Sequence, residues 1–500
     1  MASAFENRLR RTIEMAGTDG QAGPVPVMAT PSVKGVASTL GGMKIRQVSP
    51  RLAAAIRPLV IGKAPLDVVL FGDSTGDEPT EWYGKLGDYL ATGVGSDHSV
   101  AYKLWSDTNQ QYSTGASARY VSVGPLGRRY VAFGAAVTSH RIELDDSAQT
   151  SVTGDLQVSV LVNLAGGTFA SQWALCGKFG LAGSRSWRME IMTDNRIFFE
   201  HSADGTAQIN RTSIALSGSQ LTDDIWLRVR LDVDNGASGN TAKFYTSADY
   251  VTWTQLGTDD VKAGVTSVFD TATTMQFIGR GGQSVTSIGK DVKFFEARVH
   301  GAFDESALAA WVDAGSIQPR TSATSIAYRD DLGNPGTITY QGSSVGGSPR
   351  LCLFNGSVGG QVIAYGSNAT RFAKMAAGQL DVAFISYSHN EGADVAYRAD
   401  YKALTDLILA RNPDAAIVGV IQNRRYAPAT YIEEHEVRLQ QISTFCASQG
   451  FDTLDFFGLV TQADMKADGV HPEPTLAGDK MGAAAYFLVQ LAGGLWNAPA

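Results

Sequence analysis

The sequence predicts an α/β protein in which a three-layer parallel sheet is interrupted by an antiparallel β-sandwich of the jelly-roll type. Strand-like and helix-like segments alternate over residues 60–120 and again over 345–495, as in parallel sheets with crossover helices. Between them, residues 125–305 contain alternating apolar and polar segments, separated by Gly, Ser, Asn and Asp turns and by no helix. A chain of 500 residues has room for two or three such domains.

The first parallel segment places a serine in a tight turn behind a buried strand. Leu66–Phe71 is a short apolar run, typical of a central parallel strand. The turn Gly72–Asp77 follows, and then a helix with Pro79 in its first turn. One face of this helix is apolar at every fourth position, at Trp82, Leu86 and Leu90. Ser74 is therefore expected at the carboxyl end of a strand, where open α/β sheets bind ligands.

Six alternating segments predict the strands of the sandwich. They are Leu156–Leu164, Arg188–Phe199, Trp226–Val233, Ala242–Tyr245, Met275–Ile278 and Val292–Val299. We expect the sandwich to end near Phe303. Such strands without intervening helices favour two packed antiparallel sheets.

The second parallel segment resumes the strand and helix alternation and completes the parallel sheet. Strands are predicted at Leu351–Phe354, Leu380–Ile385, Ala415–Ile421 and Thr453–Phe457, and helices at Val395–Arg411, Tyr431–Ser448 and Leu476–Leu491. A further helix, Pro50–Val60, is predicted before the first parallel segment. Asp468 and His471 lie three residues apart in the loop before the last helix. Serine needs a base to become a nucleophile, and the base needs an acid to orient it. Ser74, His471 and Asp468 supply these three groups.

Composition excludes several functions. The net charge is −8, and the densest basic groups are Arg8, Arg10 and Arg11, followed by Arg424 and Arg425, which argues against binding to nucleic acid. No stretch of 18 apolar residues occurs, so no membrane insertion is expected.

The N-terminal segment and the cysteines indicate attachment, the place of synthesis and the state of the thiols. Residues 1–45 are weakly patterned and are interpreted as a linker or attachment segment. They contain no apolar signal-peptide core, so synthesis in the cytoplasm is expected. Cys176, Cys352 and Cys446 are too widely spaced for a zinc site and are interpreted as buried thiols.

Four sequence blocks resemble the SGNH (GDSL-like) hydrolases. They are Gly72-Asp73-Ser74, Asn355-Gly-Ser-Val-Gly-Gly360, Ser388-His389-Asn390-Glu391 and Asp468-Gly-Val-His471. The resemblance implies Ser74 as nucleophile, His471 as base and Asp468 as the residue that orients it. It also implies an oxyanion hole made by the N–H of Ser74, the N–H of Gly360 and the amide of Asn390, with Gly359 as the alternative glycine. The third block departs from the family pattern Gly-x-Asn-Asp, and its His389 is interpreted as a surface histidine.

The inserted segment resembles concanavalin A-like, laminin-G-type modules. The resemblance rests on His140-Arg-Ile-Glu-Leu, Val152-Thr-Gly-Asp-Leu156 and the stretch Phe244–Leu256. It implies carbohydrate binding and allows calcium in the sandwich, although Asp and Asn more often serve simply as turn residues. Trp173, Trp187 and Trp253 are candidates for stacking on sugars, with Trp253 assigned rather to the core. No other cofactor is expected.

Together these features predict an esterase that deacylates, and more specifically deacetylates, a polysaccharide of the bacterial cell envelope. The arrangement is similar to minor tail proteins of bacteriophages of actinobacteria. This similarity implies a place in the virion, action at the cell surface, and attachment to other tail proteins through residues 1–45. The alternative is a non-catalytic receptor-binding adhesin that uses the hydrolase fold as a scaffold. The acyl group, the sugar, a metal requirement and homo-oligomerisation stay open.

Overall fold

A computed structural model describes most of the chain. The described residues are 39–40, 43–44, 48–62, 64–93, 97–113, 119–133, 141–165, 172–279, 292–304, 307–317, 325–339, 343–391, 394–427 and 431–494. The proposed attachment segment 1–45 therefore lies largely outside the described residues, apart from the short antiparallel pair Thr39–Leu40 and Met43–Lys44.

Among the described residues, six parallel strands form the central sheet of the α/β domain. In chain order they are β1 (Leu66–Gly72), β2 (Ser99–Ser106), β3 (Arg350–Asn355), β4 (Val382–Ser386), β5 (Ala416–Ile421) and β6 (Asp452–Asp455). Their order across the sheet is β6-β5-β4-β1-β3-β2, and every neighbouring pair is parallel. The short strands Gln111–Tyr112 and Arg119–Ser122 pair antiparallel with β2. All seven residues of β1 are buried because helices cover both faces of this central strand.

In the part of the chain that the structure describes, seven helices make the outer two of the three layers. They are α1 (Pro50–Gly62), α2 (Trp82–Thr92), α3 (Ile363–Ser367), α4 (Ala369–Met375), α5 (Asp394–Arg411), α6 (Ile432–Gln449) and α7 (Asp479–Gly493). Helices α1, α2 and α7 pack on one face of the sheet, and α3 to α6 pack on the other. The predicted helix after Ser74 begins later than expected, at Trp82 with Glu81 as its N-cap, so Pro79 precedes it. None of the helices in the described ranges is long and apolar enough to cross a membrane.

The inserted domain is a sandwich of two antiparallel sheets. One sheet has the order Ile209–Ala215, Arg196–His201, Arg185–Ile191, Trp173–Phe179, Met275–Gly279, Arg141–Leu144, Pro335–Thr339, Ser325–Arg329. The other has the order Thr254–Gln255, Gly239–Ser247, Asp224–Asp232, Leu156–Asn163, Lys293–His300, Tyr130–Phe133, Ser343–Gly346, with Asp260–Ala263 and Leu308–Asp313 paired to its members. A one-turn helix, Ser219–Thr222, precedes one strand. The sandwich thus continues past Phe303, because four strands between residues 308 and 346 join its sheets.

The insertion point fixes the side on which the sandwich sits. The chain leaves the parallel sheet at Ser122, which pairs with Val100 near the start of β2, and returns at Arg350, the first residue of β3. Both positions lie at the amino-terminal edge of the parallel strands. The sandwich is therefore attached at the edge opposite the one at which Ser74 follows β1.

A buried ionic cluster joins the two domains at that edge. The Arg350 guanidinium donates to Asp331 of the sandwich at 2.6 and 2.8 Å, to Asp313 of the sandwich at 3.1 Å and to Asp67 of β1 at 2.9 Å. Lys103 of β2 pairs with Asp331 at 2.5 Å and lies 3.4 Å from the centre of the Trp311 ring. Buried charges must be paired to be tolerated, so this cluster fixes the two domains to each other.

Candidate active site

The carboxyl ends of the parallel strands bring the sequence blocks together. Ser74 follows β1, the glycine loop follows β3, Asn390 follows β4, and the loop with Asp468 and His471 precedes α7. Ser74 Oγ lies 2.7 Å from His471 Nε2. His471 Nδ1 lies 2.7 Å from Asp468 Oδ2. Two stretches almost 400 residues apart thus form a continuous relay of hydrogen bonds, as a nucleophile with its base and orienting acid requires.

The acidic member of the relay is held in a compact loop. Asp468 Oδ1 accepts the backbone N–H groups of Val470 at 2.8 Å and His471 at 3.0 Å. Partial burial would raise the pKa of Asp468, but hydrogen bonds from the backbone and ring of His471 outweigh it and lower that pKa to about 2. Asp468 is therefore ionised at neutral pH and holds His471 with Nδ1 protonated and Nε2 free to accept the serine proton.

The loop closes against its neighbour through a glycine. Gly469 has a φ of 67°, and a Cβ there would lie 2.9 Å from that of Ala427. Its carbonyl accepts the N–H of Tyr426 at 2.8 Å, which ties the loop to the segment after β5. Both the left-handed φ and the close approach require glycine.

The glycine loop after β3 borders the nucleophile. A Cβ on Gly359 would lie 3.7 Å from Ser74 Cβ and 2.8 Å from Asp77 Oδ2, whereas Gly360 adopts a φ of 75° and faces open space. Among the described residues, the N–H groups of Ser74, Gly359 and Gly360 have no backbone acceptor. These N–H groups are therefore candidates for the oxyanion hole, and the assignment to Gly360 stays a prediction.

Asn390 lies beside the same loop. Its Nδ2 donates to Gln361 O at 3.3 Å, one residue beyond Gly360. The next residue, Glu391, accepts the N–H of Ile363 at the start of α3, and burial raises the pKa of Glu391 to about 7. Adjacent residues of the third block therefore fasten it to the glycine loop, although this block departs from the family pattern.

Hydrogen bonds to the Asp73 side chain connect the turn that carries Ser74 to the third block. Its fully buried carboxylate accepts the N–H groups of Ser388 and His389 at 3.4 Å each, and those of Thr75 and the Gln422 amide. Burial raises the pKa of Asp73 despite these hydrogen bonds. Gln422, directly after β5, also donates to Thr75 Oγ1 at 2.8 Å and to Ser386 O at 3.0 Å.

Several roles were missed or misjudged from the sequence. His389 is buried rather than exposed, and its ring lies 4.3 Å from that of His435. Arg425 Nη1 donates to His389 O at 2.8 Å, and Arg438 Nε donates to Ser388 O at 3.1 Å. No motif marks Gln422, Arg425 or Arg438. The position of Gln422 at the end of a predicted strand was the one available signal for it.

Two of the three tryptophans proposed to stack on sugars lie where they cannot do so. Trp173 and Trp187 are fully buried between the sheets, so they cannot stack on a sugar. Trp253 lies outside that core, partly buried, with its ring 3.5 Å from the Arg228 guanidinium carbon. The described residues contain no group of three or more His, Cys, Asp and Glu side chains that could hold a metal ion. Calcium stays a prediction. All three cysteines are buried and free, as predicted.

Comparison with known proteins gives distant similarities. No family model and no curated protein matches the chain. The solved structure of a peptidoglycan O-acetylesterase aligns with 89% of this chain and 97% of its own, at 10% identity and a TM-score of 0.36. A SAP-like pentraxin from Limulus polyphemus covers 44% of this chain and 95% of its own, at 10% identity and a TM-score of 0.28. A two-domain esterase active on acetylated mannans covers 29% of this chain and 39% of its own, at 14% identity and a TM-score of 0.24. Similarities this distant do not assign an activity.

Proposed function

We propose that the chain is a serine esterase of the SGNH type that removes acyl groups, acetyl groups in particular, from a polysaccharide of the bacterial cell envelope. The observation that carries this proposal is the relay from Ser74 through His471 to Asp468, with 2.7 Å at both hydrogen bonds. Isolated Gly-Asp-Ser turns or Asp–His pairs are common, but a serine hydroxyl aligned on the free nitrogen of a carboxylate-bound imidazole is the arrangement of a nucleophile.

The mechanism follows from these contacts. As Ser74 Oγ attacks the ester carbonyl, His471 Nε2 takes its proton and Asp468 stabilises the resulting imidazolium. The oxyanion accepts hydrogen bonds from Asn390 and the N–H groups of Ser74 and Gly360. The imidazolium then protonates the departing sugar oxygen, which leaves as a hydroxyl group as the tetrahedral intermediate collapses to the acyl-Ser74 ester. Water deprotonated by His471 attacks the acyl-Ser74 ester, and acid is released as Ser74 regains its proton.

Hydrolysis of p-nitrophenyl acetate tests this reaction. We expect turnover by the wild type and its loss in Ser74→Ala, whereas Ser217→Ala, an exposed serine of the sandwich, leaves it unchanged. Turnover that survives in Ser74→Ala would exclude the mechanism. Acetate release from acetylated envelope polysaccharides then identifies the sugar.

We propose that the sandwich binds the polysaccharide at a distance from the ester that reacts. It is attached at the edge opposite Ser74, and β1 has seven residues between the two edges. At about 3.3 Å per residue, this separation is roughly 20 Å, so the sandwich would anchor the polymer rather than line the catalytic cleft. Amide hydrogen exchange of the Ser74→Ala variant can be measured with and without deacetylated polysaccharide. We expect amides in the sandwich sheets to exchange more slowly when the polysaccharide is present. Protection confined to the hydrolase domain would contradict this.

We also propose that the enzyme is carried on a phage tail, attached through residues 1–45 to other tail proteins. The support is the organisation of the chain, a hydrolase interrupted by a carbohydrate-type sandwich. Mass spectrometry of purified phage particles should detect the protein, and its absence from them would refute this role.

A further inference from the structure

A carboxylate that no sequence motif marks lines the site beside the nucleophile. Asp77 ends the turn Gly72–Asp77 that carries Ser74, and its Oδ2 lies against Gly359 on the side that also faces Ser74 Cβ. A Cβ on Gly359 would be 2.8 Å from the carboxylate oxygen and 3.7 Å from Ser74 Cβ, so these two atoms are within about 6.5 Å of each other. The carboxylate of Asp77 is therefore close enough to Ser74 for a charged group on a bound substrate to interact with it.

The surroundings of Asp77 are acidic. Burial, together with the charges of Glu78 and Asp73, raises the pKa of Asp77 to about 6, although His471 opposes the shift. Glu81 is more deeply buried, and burial and the charge of Asp77 raise its pKa to about 8. Near neutral pH Asp77 therefore carries a negative charge at the site, in a partly desolvated position where charges interact strongly.

We propose that Asp77 is a specificity-determining residue that makes the site reject anionic acyl sugars, such as uronic acid units, and accept neutral or amino sugars. This inference rests on the proposed esterase function. A carboxylate on the substrate would meet Asp77 a few ångströms away, whereas an ammonium or hydroxyl group could pair with it. The proposal does not involve the sandwich, which lies at the opposite edge of the sheet.

The experiment compares three substrates that differ in charge. They are methyl glycosides of glucuronic acid, glucose and glucosamine, each acetylated at the same hydroxyl, with acetate release as the readout. For the wild type at pH 7.5 we expect kcat/KM to be at least about tenfold lower for the glucuronide than for the glucoside. In Asp77→Asn this ratio should approach one. In Glu78→Gln, which removes the exposed neighbouring carboxylate, the ratio should stay as in the wild type.

The pH dependence of the same ratio is a second readout. Effects of pH on the catalytic steps that both substrates share cancel in the ratio. Discrimination should weaken as the pH falls through about 6, because Asp77 takes up a proton there. Asp77→Asn should show no such change.

The outcomes separate this proposal from the esterase assignment. No wild-type preference, or an unchanged ratio in Asp77→Asn, would overturn the role of Asp77. If no glycoside is hydrolysed, calorimetric binding of the three glycosides to Ser74→Ala gives the same comparison without turnover. A preference there that Asp77→Asn removes would support the specificity role while the esterase function fails, and equal affinities would overturn it.

Discussion

Replacing Asn390 with alanine should lower kcat by about a hundredfold to a thousandfold. Loss of one oxyanion donor typically costs roughly 3–4 kcal/mol of transition-state stabilisation. The loop itself should keep its place, because Asp73 holds the preceding Ser388 and His389 N–H groups and Arg425 holds the His389 carbonyl. Only the long 3.3 Å bond from Asn390 to Gln361 O is lost on the protein side. The effect should therefore fall on the reaction and not on folding.

Steady-state kinetics with p-nitrophenyl acetate measures this effect. KM should change little, because the donor acts on charge that develops in the transition state. Asn210→Ala, an exposed asparagine of the sandwich, is the matched control. A decrease in kcat of less than about tenfold, or a change confined to KM, would show that Asn390 is not an oxyanion donor.

Three further predictions concern the relay, the domain interface and pH. Asp468→Asn should lower kcat by several orders of magnitude with little loss of stability, because the amide favours the wrong tautomer of His471; near-normal kcat would contradict this. Arg350→Ala should lower the free energy of unfolding by about 3–5 kcal/mol in urea titrations, since it removes the buried guanidinium that pairs with Asp67, Asp313 and Asp331. A loss below about 1 kcal/mol would argue against the cluster as the connection between the domains. The free energy of unfolding should fall as the pH rises from about 5 to 8. Burial raises the pKa of Glu81 to about 8 and that of Asp381 to about 7. In this pH range the folded state therefore keeps protons that the unfolded chain releases. Glu81→Gln should flatten that slope, and a slope that rises with pH would refute the reasoning.

The alternation of strands and helices predicted the fold because hydrophobic periodicity is local. β1, β3, β4 and β5 lie within one or two residues of the predicted strands. The end of the sandwich was misplaced because segments such as Ser343–Gly346 are short and rich in Gly and Ser, with no apolar alternation. Their strand conformation depends on pairing with distant strands.

The members of the relay were predictable because each belongs to a short motif. The groups around them were not, since their roles arise from contacts between distant parts of the chain. Gln422 meets Asp73 across 349 positions, and His389 is buried by residues of α6. The sequence indicates Asp77 only as the last residue of a turn. Its position beside the nucleophile depends on the packing of the glycine loop against it.

Covalent labelling tests the central claim most directly. Diisopropyl fluorophosphate reacts with serines that a neighbouring base activates. A relay centred on Ser74 predicts one adduct per chain, located on Ser74 by peptide mass spectrometry, and strongly slowed in His471→Ala. No adduct, an adduct on another serine, or equal labelling in His471→Ala would contradict it.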